Sequence, residues 1–333
     1  MQRRDGAFVD IANLITLEIT VQQIDPLTLP EHSGSMLRGA FGTALRLLTC
    51  VTDLSECKLC PLKAHCRFPH IFERPALSTA QVQAVNPYII HPPIIAKRLA
   101  ADDIWHFSMS VMGSAIEDCA LIVQAWRTAL QQGLGARAPY QKARLLQVRC
   151  DGVPLYDMRQ SSHLLSTPKP STQLYQNQLL AHENAPLTQL SLQFVTPFRH
   201  QQHGKIAAKT QMLDSVTFLA SLYNRIQLCQ RHHSPDTPWD IGYQDYHAFK
   251  ADINRLDMVV NLESHHVARR SNRQARKMQL FGLQGQIDLI DHEKTGNLIK
   301  LLPALQLGEI LHIGKNTTMG LGQYQLKKVA VIK

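Results

Sequence analysis

NLIKLLPALQLGEILHIGKNTTMGLGQYQL, from Asn297 to Leu326, reads as a helix, a glycine-rich loop and a strand in succession. Leucines recur through the first half at helical spacing, and GQYQLKKVAVI alternates like a half-buried strand. Gly314, Gly320 and Gly322 fall within nine positions. Glycine lets the backbone take φ > 0 and lets another chain approach without meeting a Cβ. Lys315 and the bare amides of such a loop suit a phosphate. A P-loop is excluded, because five residues and not four separate Gly308 from Gly314, Asn316 follows the lysine, and a strand follows the loop. About forty residues upstream lies HHVARRSNRQARK (His265 to Lys277), with four arginines, one lysine and no acid. A polyanion is the natural partner of this pair of segments.

Working outward, LTQLSLQFVTPFR (Leu187 to Arg199) reads as a strand and Gln211 to Cys229 as a helix, followed by strands in MVVNLES and MQLFGLQGQIDLI. With the closing helix and strand the order is β-α-β-β-α-β. The same order occurs earlier. Leu14 to Gln22 alternates as a strand, and Gly34 to Cys50 is a helix with His32 and Ser33 at the cap position. PYIIHPP (Pro87 to Pro93) is extended, Asp103 to Gly113 is a strand, Ile116 to Gly133 a helix and Ala143 to Gly152 a strand. The expectation is an α+β chain of two ferredoxin-like domains in tandem, with a cysteine-rich insertion in the first. The domains are set at residues 1–155 and 187–333, joined by a Ser/Gln/Thr/Pro-rich linker or peripheral insertion at 156–186.

The chain has 333 residues, 44% of them hydrophobic, enough for two packed cores. A net charge of +9 favours nucleic acid or an anionic surface. Neither a signal peptide nor an apolar run of membrane-spanning length is present, so a cytoplasmic protein with no membrane partner is expected. Aromatic content is only 6%, which favours phosphate contacts over a large stacking platform.

RRSNRQARKMQLFGLQGQIDL and LIKLLPALQLGEILHIGKNTTMGLGQYQL together resemble the C-terminal half of the CRISPR-associated RAMP endoribonucleases that process precursor crRNA, the Cas-six type. LRGAFGTALR, the C-x2-C-P-L segment, PYIIHPP and GLGARAPYQKARLLQV extend the resemblance to the N-terminal half. It implies two ferredoxin-like (RAMP/RRM-like) domains that bind CRISPR repeat RNA and cut it without a metal. The products would be a 2′,3′-cyclic phosphate and a 5′-hydroxyl, and subunits of a CRISPR effector complex would be further partners.

Such cleavage needs a base near the ribose 2′-OH, an acid near the 5′-oxygen and a cation for the crowded phosphorane. His32 is the first candidate, since it lies ahead of the first helix near where family members often carry a histidine; a helix cap is its plainer role. Arg38 and Lys209 are the candidate cations. His200 with His203 forms a rival pair, and His265 with His266 ranks lower because an RNA-contacting arm explains them equally well. Arg269, Arg270, Arg273, Arg276 and Lys277, with Gly314, Lys315, Gly320 and Gly322, are the expected RNA contacts. A solvated basic face and a ligand-free glycine hairpin are the plainer readings of those two segments.

Cys50, Cys57, Cys60 and Cys66 make C-x6-C-x2-C-x5-C, a knuckle pattern suited to a structural zinc ahead of an iron–sulfur cluster, with His65 and His70 as substitute ligands. A cluster without metal is the alternative, and catalysis itself calls for no cofactor. Two rivals to the enzyme stand beside it: a non-catalytic RAMP subunit that holds crRNA within an effector complex, and a zinc-stabilised basic binding module.

Overall fold

A computed structural model describes residues 12–75, 85–94, 97–135, 138–160, 187–202, 205–206, 213–271 and 276–328, with isolated positions at 164, 166, 168 and 169. The first unit comprises β1 (Leu14–Gln23), β2 (Leu27–Leu29), α1 (Gly34–Thr49), α2 (Arg67–Ile71), β3 (Tyr88–His91), β4 (Lys97–Leu99), β5 (Ile104–Met112), α3 (Cys119–Gln132), β6 (Ala143–Cys150) and β7 (Val153–Asp157). Its main sheet is antiparallel in the order β3-β5-β1-β6-β7. The second unit comprises β8 (Gln189–Phe198), the short pair β9 (Gln201–Gln202) and β10 (Lys205–Ile206), α4 (Ser215–His233), α5 (Tyr246–Ile253), β11 (Asp257–Ser271), β12 (Arg276–Ile290), α6 (Asn297–Leu311) and β13 (Tyr324–Lys328). Its sheet runs β11-β12-β8-β13, again antiparallel throughout.

Setting aside β7 and the short pairs, both sheets place the fourth strand beside the first, then the third and the second. That is the ferredoxin-like arrangement, made twice. Period-2 burial produces it locally. Ile15, Leu17, Ile19 and Val21 of β1 face inward while Thr16, Glu18 and Thr20 do not. In α1 the inward positions are Leu37, Phe41, Ala44 and Leu45, and in α3 Ile122, Trp126, Ala129 and Leu130. Phe41 and Trp126 stack at 5.0 Å in the centre of this core, and burial of each such ring contributes about 1.5–3 kcal/mol.

Several elements differ from the sequence reading. α4 begins four residues later than expected because Asp214 caps it, accepting from the Thr217 N–H at 2.8 Å. α5, capped in the same way by Asp245, was not foreseen. β11 and β12 pair over their whole length as one long hairpin, with residues 272–275 outside the described set. α6 has no polar stripe, being buried on nearly every side, which is why its leucine run looked helical without amphipathic character.

Each unit has its own apolar core, and that of the second extends into the first. Ala12, Leu14, Val85, Ile89 and Met112 of the first pack with Phe194, Phe218, Leu305 and Tyr324 of the second. A polar seam runs beside it. His312 Nε2 lies 2.9 Å from His91 Nδ1, His91 Nε2 lies 2.8 Å from Ser110 Oγ, and Ser110 Oγ lies 3.0 Å from Thr16 Oγ1. Burial pushes His91 down to about 4 and holds His312 far below the ordinary histidine range, so this junction is neutral. Among the described residues, no helix is long and apolar enough to cross a membrane.

Candidate active site and nucleic-acid interface

α1 starts at the seam between the units. A Cβ on Gly34 would lie 1.9 Å from the carbonyl oxygen of Met319, and one on Gly320 would lie 2.4 Å from Pro92 Cδ. Only glycine permits so close an approach of backbones. The glycine-rich loop is therefore what the first helix and β3 rest against. Gly320 is buried there at positive φ, while Gly322, also at positive φ, packs on Ile313 within the second unit and Gly314 bridges to Arg199. Lys315 is half-buried, its backbone N–H donating to the Arg199 carbonyl at 3.0 Å. Arg199 also donates to Phe281 O at 2.8 Å and to Asn316 Oδ1, tying this loop to the long hairpin.

That docking brings Glu31 and His32, just ahead of α1, against His265 of β11. The two imidazoles meet edge-on with centroids 5.3 Å apart. Glu31 Oε1 lies 3.9 Å from His32 Nε2 and 3.7 Å from His265 Nε2. His32 is nearly covered, its side chain 9% exposed, whereas that of His265 is 34% exposed. Among the described residues neither ring nitrogen of His32 has a hydrogen-bond partner, so it does not cap the helix. Ser33 holds the cap position without a side-chain cap bond, leaving the positive end of α1 turned toward this corner. Burial holds His32 below the ordinary histidine range, Glu31 pulls it partly back, and His265 pushes it down again. His32 is accordingly neutral at pH 7 and suited to take a proton. The donor atoms of Glu31, His32 and His265 all lie within 4.8 Å of one another, a spacing that would also admit a divalent cation.

The remaining candidates fall as follows. The Arg38 guanidinium sits over the Phe72 ring at 4.3 Å, away from the histidine pair in its contacts. Lys209, His203 and Arg273 lie outside the described residues. His200 is buried against Phe198, only 3% exposed, and burial lowers its pKa. Arg269 and Arg270 end β11, and Arg276 and Lys277 open β12, so the basic run occupies the far end of the hairpin that carries His265. Nothing local in the sequence distinguishes His265 from the basic arm; its position against His32 appears only in the tertiary structure.

Cys50, Cys57, Cys60 and Cys66 line one cavity of about 320 Å³. The Cys60 N–H closes a tight turn on Cys57 O at 3.3 Å, and Thr52 Oγ1 lies 3.5 Å from Cys60 Sγ and 4.0 Å from Cys50 Sγ. The four thiols are free and half-buried. No three of their sulfurs lie within 4.8 Å of one another. Zinc–sulfur bonds of about 2.3 Å would require the loop to contract around the ion.

Residues 192–324 match the family described as CRISPR-associated endoribonuclease Cas6, and residues 12–171 match a family described as an N-terminal domain. No curated protein matches the chain by sequence. Among solved structures, a Cas6 (TTHB231) product complex is similar at TM-score 0.53 and 14% identity, covering 94% of this chain and 100% of that one. Thermus thermophilus Cas6 (TTHB231) gives a TM-score of 0.51 at 13% identity, covering 95% and 99%. A chain in a partial Cas6-RT-Cas1–Cas2 complex gives 0.55 at 13% identity, covering 97% of this chain and 47% of that one. At these identities the likeness is one of fold.

Proposed function

We propose that this chain, which belongs to the Cas6 family of CRISPR-associated endoribonucleases through its residues 192–324, cuts CRISPR repeat RNA by attack of a ribose 2′-OH on the adjacent phosphate. The observation that carries this reading is the pair of imidazoles, His32 and His265, meeting across the seam of two ferredoxin-like units. Neutral His32 takes the proton from the 2′-oxygen as that oxygen bonds to phosphorus. The bond from phosphorus to the 5′-oxygen breaks, and His265 supplies the proton that oxygen needs. The ends left are a 2′,3′-cyclic phosphate and a 5′-hydroxyl. Glu31 orients both rings, and the uncapped start of α1 faces the charge that grows on the phosphorane. One P–O bond forms as another breaks; on this reading the two imidazoles carry the protons and the start of α1 meets the phosphorane charge, so no metal is called for.

The basic end of the β11–β12 hairpin supports RNA binding along the phosphate backbone, in a chain of net charge +9 whose place of work would be the cytoplasm. An effector complex that receives the cut RNA is a further partner. The test is single-turnover cleavage of end-labelled repeat RNA in excess EDTA, with His265→Gln beside the wild type. The expected result is one cut with a cyclic phosphate end, slowed by about 10²-fold or more in the variant while RNA binding holds. Cleavage that stops in EDTA would overturn the metal-free mechanism. An unaffected variant would remove His265 from the reaction, and tight binding without cutting would leave an RNA-holding subunit.

The cysteine loop is proposed to hold a structural zinc between α1 and α2, through Cys50, Cys57, Cys60 and Cys66. Its donor set supports this, and no step of the reaction depends on it. Native mass spectrometry of protein grown with zinc should find one ion per chain, and Cys57→Ser with Cys60→Ser should lose it and lower Tm by several degrees. A metal-free wild-type chain with an unchanged Tm in the variant would leave the thiols as plain packing.

A further inference from the structure

The face of the second sheet turned away from its helices carries a row of amides across all four strands. Asn261 on β11 stands opposite Gln286 on β12, Gln286 opposite Gln193 on β8, and Gln193 opposite Gln325 on β13. Beside that row Glu263 stands opposite Gln284, close to the bulge between Leu283 and Gly285. Leu192, Phe194, Ile287, Leu289 and Tyr324 project into the core from the other face. Around the bulge is a groove of about 660 Å³ lined by Gln193, Asn261, Glu263, Ser264 and Gln284, with His265 also in its wall.

The amides in this groove have a determined orientation. Gln193 Nε2 donates to Gly285 O at 3.0 Å, and Gln284 Nε2 donates to Val195 O at 3.2 Å. A main-chain carbonyl can only accept, so one N–H of each amide is spent on the backbone and the side-chain oxygen is left for another donor. Gln284 Oε1 is buried with no hydrogen-bond partner among the described residues. Gln286 is likewise committed, donating to Asp288 Oδ1 at 2.8 Å. With the Glu263 carboxylate added, the groove offers acceptors. Buried acceptors call for donors.

We propose that this groove seats a nucleobase next to the scissile phosphate and selects it by its hydrogen-bond donors, with guanine preferred. Guanine presents two adjacent donors, the N1–H and the N2 amine, on its pairing edge. Adenine and cytosine present one amine beside an acceptor nitrogen, and uracil sets its single N–H between two carbonyls. Single-stranded bases splayed from a loop expose this edge to a protein. The inference rests on the nuclease reading only for its placement beside His265.

The test uses a pool of repeat RNA with two nucleotides randomised on each side of the cut, incubated with wild type, Gln284→Leu and Glu263→Gln. Sequencing of cut and uncut fractions reads the preference, and thermal melts of the variants check the fold. At one position the wild type should favour guanine over uracil by about 10-fold or more. Both variants should flatten that preference while RNAs with other bases there are cut at near wild-type rates. Equal cutting of all bases by the wild type, or guanine selection that survives in both variants, would overturn the groove as a base site. Exposed Glu263 keeps the test valid should Gln284→Leu unfold. If the pool is bound but not cut, the nuclease reading fails separately. The bound fraction then decides the groove: guanine enrichment lost in the variants supports it, and no enrichment overturns it.

Discussion

His32→Ala is expected to slow single-turnover cleavage of repeat RNA by about 10²–10⁴-fold, the usual worth of one general acid or base, with RNA affinity nearly unchanged. The side chain sits at the seam with no hydrogen bond of its own, so its loss removes a proton acceptor without breaking a bonded network. Its protonation also sets a pH dependence. Burial lowers the His32 pKa, so the neutral, proton-accepting form dominates at pH 7 and is lost only as pH falls through that lowered value. The wild-type rate should therefore hold from neutrality down to below the ordinary histidine pKa of about 6.5 and then fall with acid. His32→Ala should flatten this acid limb. A variant that cuts at the wild-type rate, or keeps the same acid limb, would move the base elsewhere, with His200 next in line.

Gly34→Val is the second substitution with a large expected effect. A Cβ there would lie 1.9 Å from a backbone oxygen, that of Met319, and 3.3 Å from Pro92 Cγ. Backbone cannot rotate aside as a side chain can, so α1 must back away from the glycine-rich loop. Overpacking of this kind costs about 1–3 kcal/mol, and the helix that moves is the one that presents Glu31 and His32 to His265. The expected outcome is a Tm several degrees lower together with cleavage reduced by about 10²-fold, because misplacement by about 1 Å has that effect on rate. Gly39→Ala on the same helix, where an added Cβ meets nothing within 4 Å, is the control and should leave both unchanged. A Gly34→Val enzyme with wild-type Tm and rate would show that the loop yields freely.

The fold was open to sequence reading because it is written in short periods. Alternation in Leu14–Gln23 and helical spacing in Gly34–Thr49 report which side of each element meets a core, and the order of elements then admits few sheets. The helix at Asn297–Leu311 was legible to the residue, and the basic run was rightly placed about the turn of a hairpin. α5 was not visible, since Tyr246–Ile253 is short and its start depends on one aspartate cap. The family motifs raised His32, yet they could not say what it meets.

The physical division is one of range. Hydrophobic periodicity and turn chemistry act over a few residues, so from the chain alone follow two β-α-β-β-α-β units, a strongly basic segment and a glycine-rich loop before the last strand. Their use depends on contacts between distant residues, which leave no local trace. The partnership of His32 with His265 arises because Gly34 lets α1 touch the loop backbone at Met319, while Gly320 lets the loop close on Ile90 and Pro92. The same docking packs Gly320 against Pro92 in the seam, which its place in the sequence does not reveal. The amide row likewise exists only through strand register, which aligns Asn261, Gln286, Gln193 and Gln325 across a sheet. Composition and period determine which elements form; close packing between them decides which side chains share a site.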